Sequence, residues 1–454
     1  MSVSTADFLS WTGGTAHGAV ADCFEGATID SRTAKLGCLY AALKGEKADG
    51  HDFAYKACAA GAAFSLVERT PPPGPDGKTP PHVIVKDVRR ALADAARAYR
   101  LSLKWRVAGV TGSAGKTSTK ELLAAFLRSA GKTASTPGNL NNDLGLPLSI
   151  LNAPQDCSFG VFECGSNHPG EIAALADILR PDCAVVSSVG NAHIEHFKSL
   201  DGTAREKGSL FAAVPQSGFN VVSRENVRFG ILKEMSKARL VETSLEDASA
   251  PFYARVVDSS SGRFEAVEAD GTVTILETGL PGDYNISNAL LAFAAARTLG
   301  VPAAQCAAAL DGFALPGRRW RTVERDGVTW IDDAYNANPD SMKAALGNFA
   351  RIPCQGRRIA VLGDMFELGP RSAALHAETG NFAATLGLDI VVATGEKMST
   401  AFAPAYHIAA PESMIISVPG VSSAAALMPG ILKPGDCVLL KGSRGMAMEK
   451  IYEA

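Results

Sequence analysis

An α/β fold in three domains is predicted by three features of the sequence. The chain has 454 residues, more than one compact unit holds at about 150 residues per domain. Short apolar runs alternate with helical text along most of it, the pattern of parallel strands joined by crossover helices. That alternation starts afresh near Trp105 and again after Pro316-Gly317-Arg318-Arg319, which divides the chain into 1–104, 105–316 and 317–454.

The first unit contains two strand candidates, FSLVE and HVIVKD, separated by TPPPGPDGKTPP. Six prolines in that stretch predict an exposed connection. DVRRALADAARAYRLSL then repeats apolar residues at helical spacing and leads into the second unit. There RVAGVTG is an apolar strand ending in glycine, and TSTKELLAAFLRSAG is a helix stopped by Gly131. FGVFECG, CAVVSSVG and FNVVS repeat the theme, so this central unit is expected to be a parallel sheet covered by helices. Between Tyr253 and Gly279 the alternation becomes strand-like, predicting an antiparallel extension, and NISNALLAFAAARTLG follows as a buried helix. In the third unit a hairpin is expected around Asp326-Gly327. RRIAVLGD, DIVVATG and CVLLKGS then supply strands of a second parallel, Rossmann-like sheet.

Composition excludes several classes. Hydrophobic residues make up 46% and charged residues 20%, the range of a globular chain rather than a disordered one. Lys plus Arg number 44 against 47 Asp plus Glu, a formal charge of −3. No broad basic field is available for nucleic acid or a membrane surface, so any bound anion must meet locally placed cations. No apolar run approaches the roughly 18 residues of a membrane span. The opening MSVSTADFLSWTGG lacks the basic start and apolar core of a signal peptide. Nine scattered cysteines without C-x-x-C spacing predict a reducing cytoplasm. Nothing resembling a coiled coil or a long apolar stripe calls for a partner chain, so a monomer is expected.

The strongest local signal is Thr111-Gly112-Ser113-Ala114-Gly115-Lys116-Thr117-Ser118, lying between a strand and a helix. Small residues there let backbone N–H groups wrap a phosphate at the helix N-terminus. Lys116 would reach the terminal phosphates and the Thr117 hydroxyl would bind magnesium. The loop departs from the strict G-x-x-x-x-G-K-[ST] pattern, because Val110 stands at the first glycine. By itself it predicts a nucleoside triphosphate and not a reaction. Glu163 closes the apolar run FGVF, where a strand end meets the ligand crevice of such a sheet. Read alone, it is a metal ligand or an ordinary strand-end carboxylate. Lys207, inside the charge run Ala204-Arg205-Glu206-Lys207, reads as a solvated helix face.

The compact form TGSAGKTS resembles the ATP loop of the Mur ligases and the folylpolyglutamate synthases. Further blocks favour the Mur ligases: Asp30-Ser31-Arg32, DGHDF from Asp49, TPGNLNNDLGLPLS, ECGSNHPGEI, NAHIEHFKSLDGTAREKGSLF, IDDAYNANPDSM, VLGDMFELG and VLLKGSRGMAME. They span nearly the whole chain. They are most similar to the member of the family that joins D-alanyl-D-alanine to a UDP-N-acetylmuramoyl-tripeptide in cell-wall synthesis.

The resemblance implies an ATP-dependent, amide-forming ligase working through an acyl phosphate, with two magnesium ions. It makes Glu163 a ligand of the first ion, and His193 with a carbamylated Lys207 ligands of the second. Lys207 matches the family's A-x-x-K-G pattern, although Ser209 stands where relatives often carry Glu. Asn288 is implied at the adenine, Arg318 at the nucleotide phosphates, and Asp333 at the ribose with Tyr335 and Asn336 beside it. Ser31, Arg32 and Asp49 would hold the UDP end, and Asn139 and Asn142 the muramoyl-peptide arm. Lys441, Ser443 and Arg444 would contact the peptide or the incoming dipeptide. Hinges are expected near residues 104 and 316, with closure on the substrates. A nucleotide switch is the competing class for the loop. The absence of a recognisable second acidic motif of that class, and the extra domain on each side of the loop, weigh against it.

Overall fold

The structure is a computed structural model and describes residues 2–453. Four sheets are present among the described residues. In the first unit a five-stranded sheet runs from the edge strand Thr15–His17 through His82–Ile84, Phe64–Val67 and Leu39–Ala41 to Ala27–Thr28. A two-stranded pair, Val3–Ser4 with Cys23–Phe24, lies beside it. The proline-rich connection is mostly exposed, as its composition requires.

The central sheet has nine strands. Arg106–Thr111 lies between Phe159–Glu163 on one side and Cys183–Val186 on the other, all parallel. Chain order reverses direction at this strand, so the crevice outside its C-terminal end is where an open α/β sheet binds ligands. The register puts Glu163 opposite Val110 and Val186 opposite Thr111. The phosphate loop, Glu163 and the Ser187–His193 segment therefore leave the sheet at one level. Phe252–Asp258, Arg263–Glu268 and Val273–Glu277 form the expected antiparallel extension at the far edge. The helix Asp283–Thr298 is buried nearly all round and packs on Lys116–Arg128.

The third sheet begins with the hairpin Arg321–Arg325 and Val328–Asp332, turning at Asp326 (φ 53°) and Gly327 (φ 73°). Two successive left-handed residues suit the twist of a two-residue hairpin. The other four strands run parallel to Val328–Asp332.

Packing treats the two junctions differently. The helix Val88–Ser102 lies against Gly145–Leu151 and Glu171–Leu179 of the central unit. One apolar cluster runs from Phe8, Phe24 and Phe64 through Leu92 to Leu146, Leu179 and Phe211. Asn152 adds a reciprocal pair of hydrogen bonds with the backbone of Ala27, at 3.2 and 2.8 Å. A continuous core resists rotation, so the packing does not support the hinge expected near residue 104. The third unit has its own two clusters, and only Ile194 of the central unit joins them.

Candidate active site

A cavity of about 780 Å³ opens where the C-terminal ends of the central and third sheets face each other. Gly112 (φ 151°) and Gly115 (φ 79°) shape the phosphate loop. A Cβ at Gly112 would come within 2.1 Å of Ser187 Oγ, and one at Gly115 within 2.4 Å of Asn288 Oδ1. Backbone conformation and lack of space both demand glycine there. The helix Lys116–Arg128 starts without a side-chain cap, leaving its first N–H groups for an anion. Lys116 bends back to donate to Gly112 C=O at 2.7 Å. Burial pulls the pKa of its ammonium below the usual lysine value; Glu163 opposes that shift and Arg319 adds to it.

Glu163 is 2% exposed and gripped on both oxygens. Oε2 accepts from Thr117 Oγ1 at 2.7 Å and Oε1 from Asn141 Nδ2 at 2.7 Å. Thr117 and Glu163 thus present two hard oxygens side by side, the donor chemistry magnesium takes. Among the described residues no group of three or more His, Cys, Asp or Glu is arranged to hold a metal.

Lys207 contradicts the solvated-face reading. It is 1% exposed, on the inner side of the helix Leu200–Ala212. Its Nζ donates to Ser166 Oγ at 2.7 Å and stands 5.2 Å from the centre of the Phe197 ring. Burial, helped by nearby Lys116, pushes its pKa down to about 7. The neighbouring Glu206 caps another helix, accepting from the N–H groups of Gly170 and Ile172 at 2.7 and 2.8 Å. His193 (φ 54°) lines the cavity, with Nδ1 2.6 Å from Glu367 Oε2 of the third unit. Burial lowers its pKa, against the opposing pull of Glu367.

The third unit supplies the opposite wall. Asp332 pairs with Leu440 in the register, so Asp333, just past its strand, meets Lys441, the last residue of the strand Cys437–Lys441. Their ion pair is 2.6 Å long, and Lys441 also donates to the Asn336 carbonyl at 3.2 Å. Lys441 thus fixes Asp333 and the Asn336 backbone instead of pointing freely at a ligand. Tyr335, Asn336 and Asn288 line the cavity, as do Asn139 and Asn142 on the facing loop.

Several expected residues lie elsewhere. Arg318 is not in the cavity wall: it pairs with buried Asp332 and with Glu453, each at 2.8 Å, inside the third unit. The cation that faces the cavity is Arg319, which donates to Thr117 Oγ1 at 3.0 Å and stacks 3.6 Å from the centre of the Tyr335 ring. Ser443 and Arg444 are also absent from the wall. Ser443 Oγ accepts from the Phe366 N–H at 2.8 Å, and Arg444 pairs with Glu449 at 2.8 Å. Ser31, Arg32 and Asp49 belong to the first unit, away from this cavity. The Arg32 side chain is 87% exposed and forks onto Asp30, whose pKa it holds down to about 2. Asp49 is occupied by Arg69 at 2.7 Å and by His51 at 2.6 Å. The sequence singles out none of Arg319, Asn141, Ser166 and Asp340, although Arg319 stands beside Arg318 and Asn141 beside Asn142.

A phosphate loop facing a second α/β sheet across one cavity defines an ATP-using enzyme of the multidomain ligase class. The chain belongs to the Mur ligase family. The family's middle-domain profile matches residues 110–296, the glutamate ligase domain 318–444, and a further Mur ligase family catalytic domain 24–100. UDP-N-acetylmuramoyl-tripeptide–D-alanyl-D-alanine ligase of Escherichia coli K12 is 37% identical, with 95% of this chain and 93% of the relative aligned. The Bacillus subtilis 168 protein of the same name is 31% identical over 94% and 92%. MurF of Acinetobacter baumannii superposes with a TM-score of 0.89 at 28% identity, covering 100% and 98% of the two chains. MurF of Thermotoga maritima, solved in complex with ADP, gives 0.78 at 29% identity, covering 94% and 96%.

Proposed function

We propose that this chain joins D-alanyl-D-alanine to UDP-N-acetylmuramoyl-tripeptide at the expense of ATP, in the cytoplasm and as a monomer. The observation that carries the reading is the cavity itself, with Lys116, Thr117 and Glu163 on one wall and Arg319, Asp333 and Asn336 on the other. Full-length similarity to ligases of that name supports the choice of substrates. All nine cysteines are free thiols, and among the described residues no helix is long and apolar enough to cross a membrane.

A carboxylate is a poor electrophile, so the tripeptide's terminal carboxylate oxygen first attacks the γ-phosphorus and ADP leaves. The dipeptide amine then adds to the acyl phosphate carbon, loses a proton, and the tetrahedral intermediate expels phosphate. Two anions must approach each other in the first step, and cations aimed at both lower that barrier. In this reading Lys116 and Arg319 hold the phosphates, Arg319 taking the part expected of Arg318. Asp333 orients the ribose, and Asn288 meets the adenine. Asn139 and Asn142 guide the peptide arm, and Ser31, Arg32 and Asp49 receive the UDP end, the last two by exchanging their present partners. Thr117 and Glu163 would hold one magnesium ion, and His193 with Lys207 a second; the ions would neutralise charge between carboxylate and phosphate.

Burial gives Lys207 the neutral amine that addition to carbon dioxide requires. The nitrogen bonds the carbon of carbon dioxide and loses a proton, and the resulting carbamate carries two oxygens suited to magnesium. Labelling with 13C-bicarbonate should give a carbamate carbon resonance that is absent in Lys207→Met. Its persistence in that variant would place the modification elsewhere. Lys207→Ala should abolish turnover, with no rescue by excess bicarbonate. The overall reading is tested by phosphate release from ATP and tripeptide precursor, with and without D-alanyl-D-alanine. Release independent of the dipeptide would reject it.

A further inference from the structure

Lys120 is a buried ammonium that the chemistry above does not use. It lies one turn beyond Lys116 on the same helix, its side chain 0% exposed and ion-paired with Glu121. Keeping an ammonium away from water is costly unless its donors are well placed. Its other partner is the carbonyl of Thr136, at 2.9 Å, where the loop 136–143 begins. That loop grips Glu163 twice. The Thr136 hydroxyl accepts from the Glu163 N–H at 2.9 Å, and Asn141 Nδ2 donates to Glu163 Oε1 at 2.7 Å. The Asn141 carbonyl in turn accepts from the Gly165 N–H at 2.8 Å. A Cβ at Gly165 would come within 2.9 Å of the Asn141 amide carbon, so the side chain is seated without slack. With Thr117 on the other carboxylate oxygen, a closed circuit joins the phosphate-loop helix, the loop and Glu163.

We propose that Asn141 is a positioning residue that sets the plane of the Glu163 carboxylate for a divalent cation, and that Lys120 holds the loop delivering it. The proposal rests on the reading of Glu163 as a magnesium ligand. An amide donor suits the task. It occupies one lone pair of Oε1, leaves the others for a cation, and adds no charge of its own. Partners that orient a metal ligand typically change metal affinity by about 10- to 100-fold when removed.

The test is calorimetric titration of ADP into the full chain, in EDTA and then in magnesium, reading the ratio of the two affinities. Asn141→Leu and Asn141→Ala should lower the ratio about tenfold while metal-free ADP affinity stays at the wild-type value. Lys120→Met should move the ratio in the same direction; if that variant does not fold, Lys120→Gln, which removes the charge and shortens the reach to the Thr136 carbonyl, carries the same expectation. Glu163→Gln should abolish the magnesium gain. A collapsed gain in Glu163→Gln with a wild-type ratio in both Asn141 variants would overturn the proposal. A wild-type ratio in Lys120→Met or Lys120→Gln, with only thermal stability lowered, would overturn the part given to Lys120. A wild-type ratio in Glu163→Gln would instead reject the metal reading beneath it.

Discussion

The junction between the first and second units and the junction between the second and third are built from different materials. At the first, leucines and phenylalanines from both units merge in one core, and Asn152 stitches the backbones together. At the second, polar side chains reach across a cavity: Arg319 to Thr117, Glu367 to His193, and Asp340 to the Asn191 N–H at 2.8 Å. Dispersion and hydrophobic burial are lost progressively as surfaces part, whereas a few polar contacts exchange readily for water or ligand. The molecule therefore has one stiff seam and one that can open. The reacting groups lie on the second.

The largest expected effect falls on the stiff seam. Leu92→Ala should cost roughly 2–5 kcal/mol, the range for truncating a buried leucine. Calorimetry should find the first two units melting together; separate melting of the first would break the comparison. Next comes the arginine pair at residues 318 and 319. Arg318→Ala takes the counter-charge from Asp332, which is 0% exposed and keeps its bonds from the Tyr452 hydroxyl and the Ala334 N–H, and should cost about 3 kcal/mol in denaturant titration. Arg319→Ala should leave stability nearly unchanged and cut kcat/KM for ATP by about 100-fold, the scale of a lost transition-state donor. The reverse pattern would mean that Arg318 turns into the cavity during catalysis.

A smaller effect is expected at the contact that closes the second seam. Gly190 approaches Asp340 so closely that an added Cβ would lie 2.3 Å from Oδ2. Asp340→Ala should weaken closure by about 1 kcal/mol, a single hydrogen bond's net contribution. Small-angle scattering with an ATP analogue and precursor should then find a larger open fraction; undiminished compaction would deny the contact any part in closure.

The smallest effect is a pH dependence within the third unit. His376 is buried and neutral, its Nε2 accepting from the Met365 N–H at 3.0 Å, and burial lowers its pKa. The folded state then binds fewer protons than the unfolded one below about pH 6.5, the ordinary histidine value. Stability from this group is complete above that pH and declines as pH falls below it. His376→Gln should flatten the decline between pH 6.5 and 5 in thermal melts; an unchanged slope would assign it to other groups.

Legibility of the site in the sequence follows the range of the interactions involved. The phosphate loop is legible because strand end, glycines and lysine are contiguous, and their geometry follows from local backbone rules. Asp333 and Tyr335 are legible only through the family resemblance, which the contiguous block IDDAYNANPDSM carries. Lys207 is not, since its burial depends on which face of Leu200–Ala212 meets Ser166 and Phe197. Nor is the choice between Arg318 and Arg319. It turns on buried Asp332 capturing one guanidinium while the left-handed Trp320 (φ 54°) redirects the chain. Among the asparagines of PGNLNN, only contact with Glu163 distinguishes Asn141.

By itself the sequence determined the α/β class, the strand–loop–helix form of the phosphate unit and the family, because these rest on periodicity and contiguous motifs. Tertiary structure decided which junction is stiff, which arginine faces the cavity and which lysine loses its water. Those outcomes depend on surfaces brought together from distant parts of the chain, where burial and charge are set by neighbours that local spacing does not name.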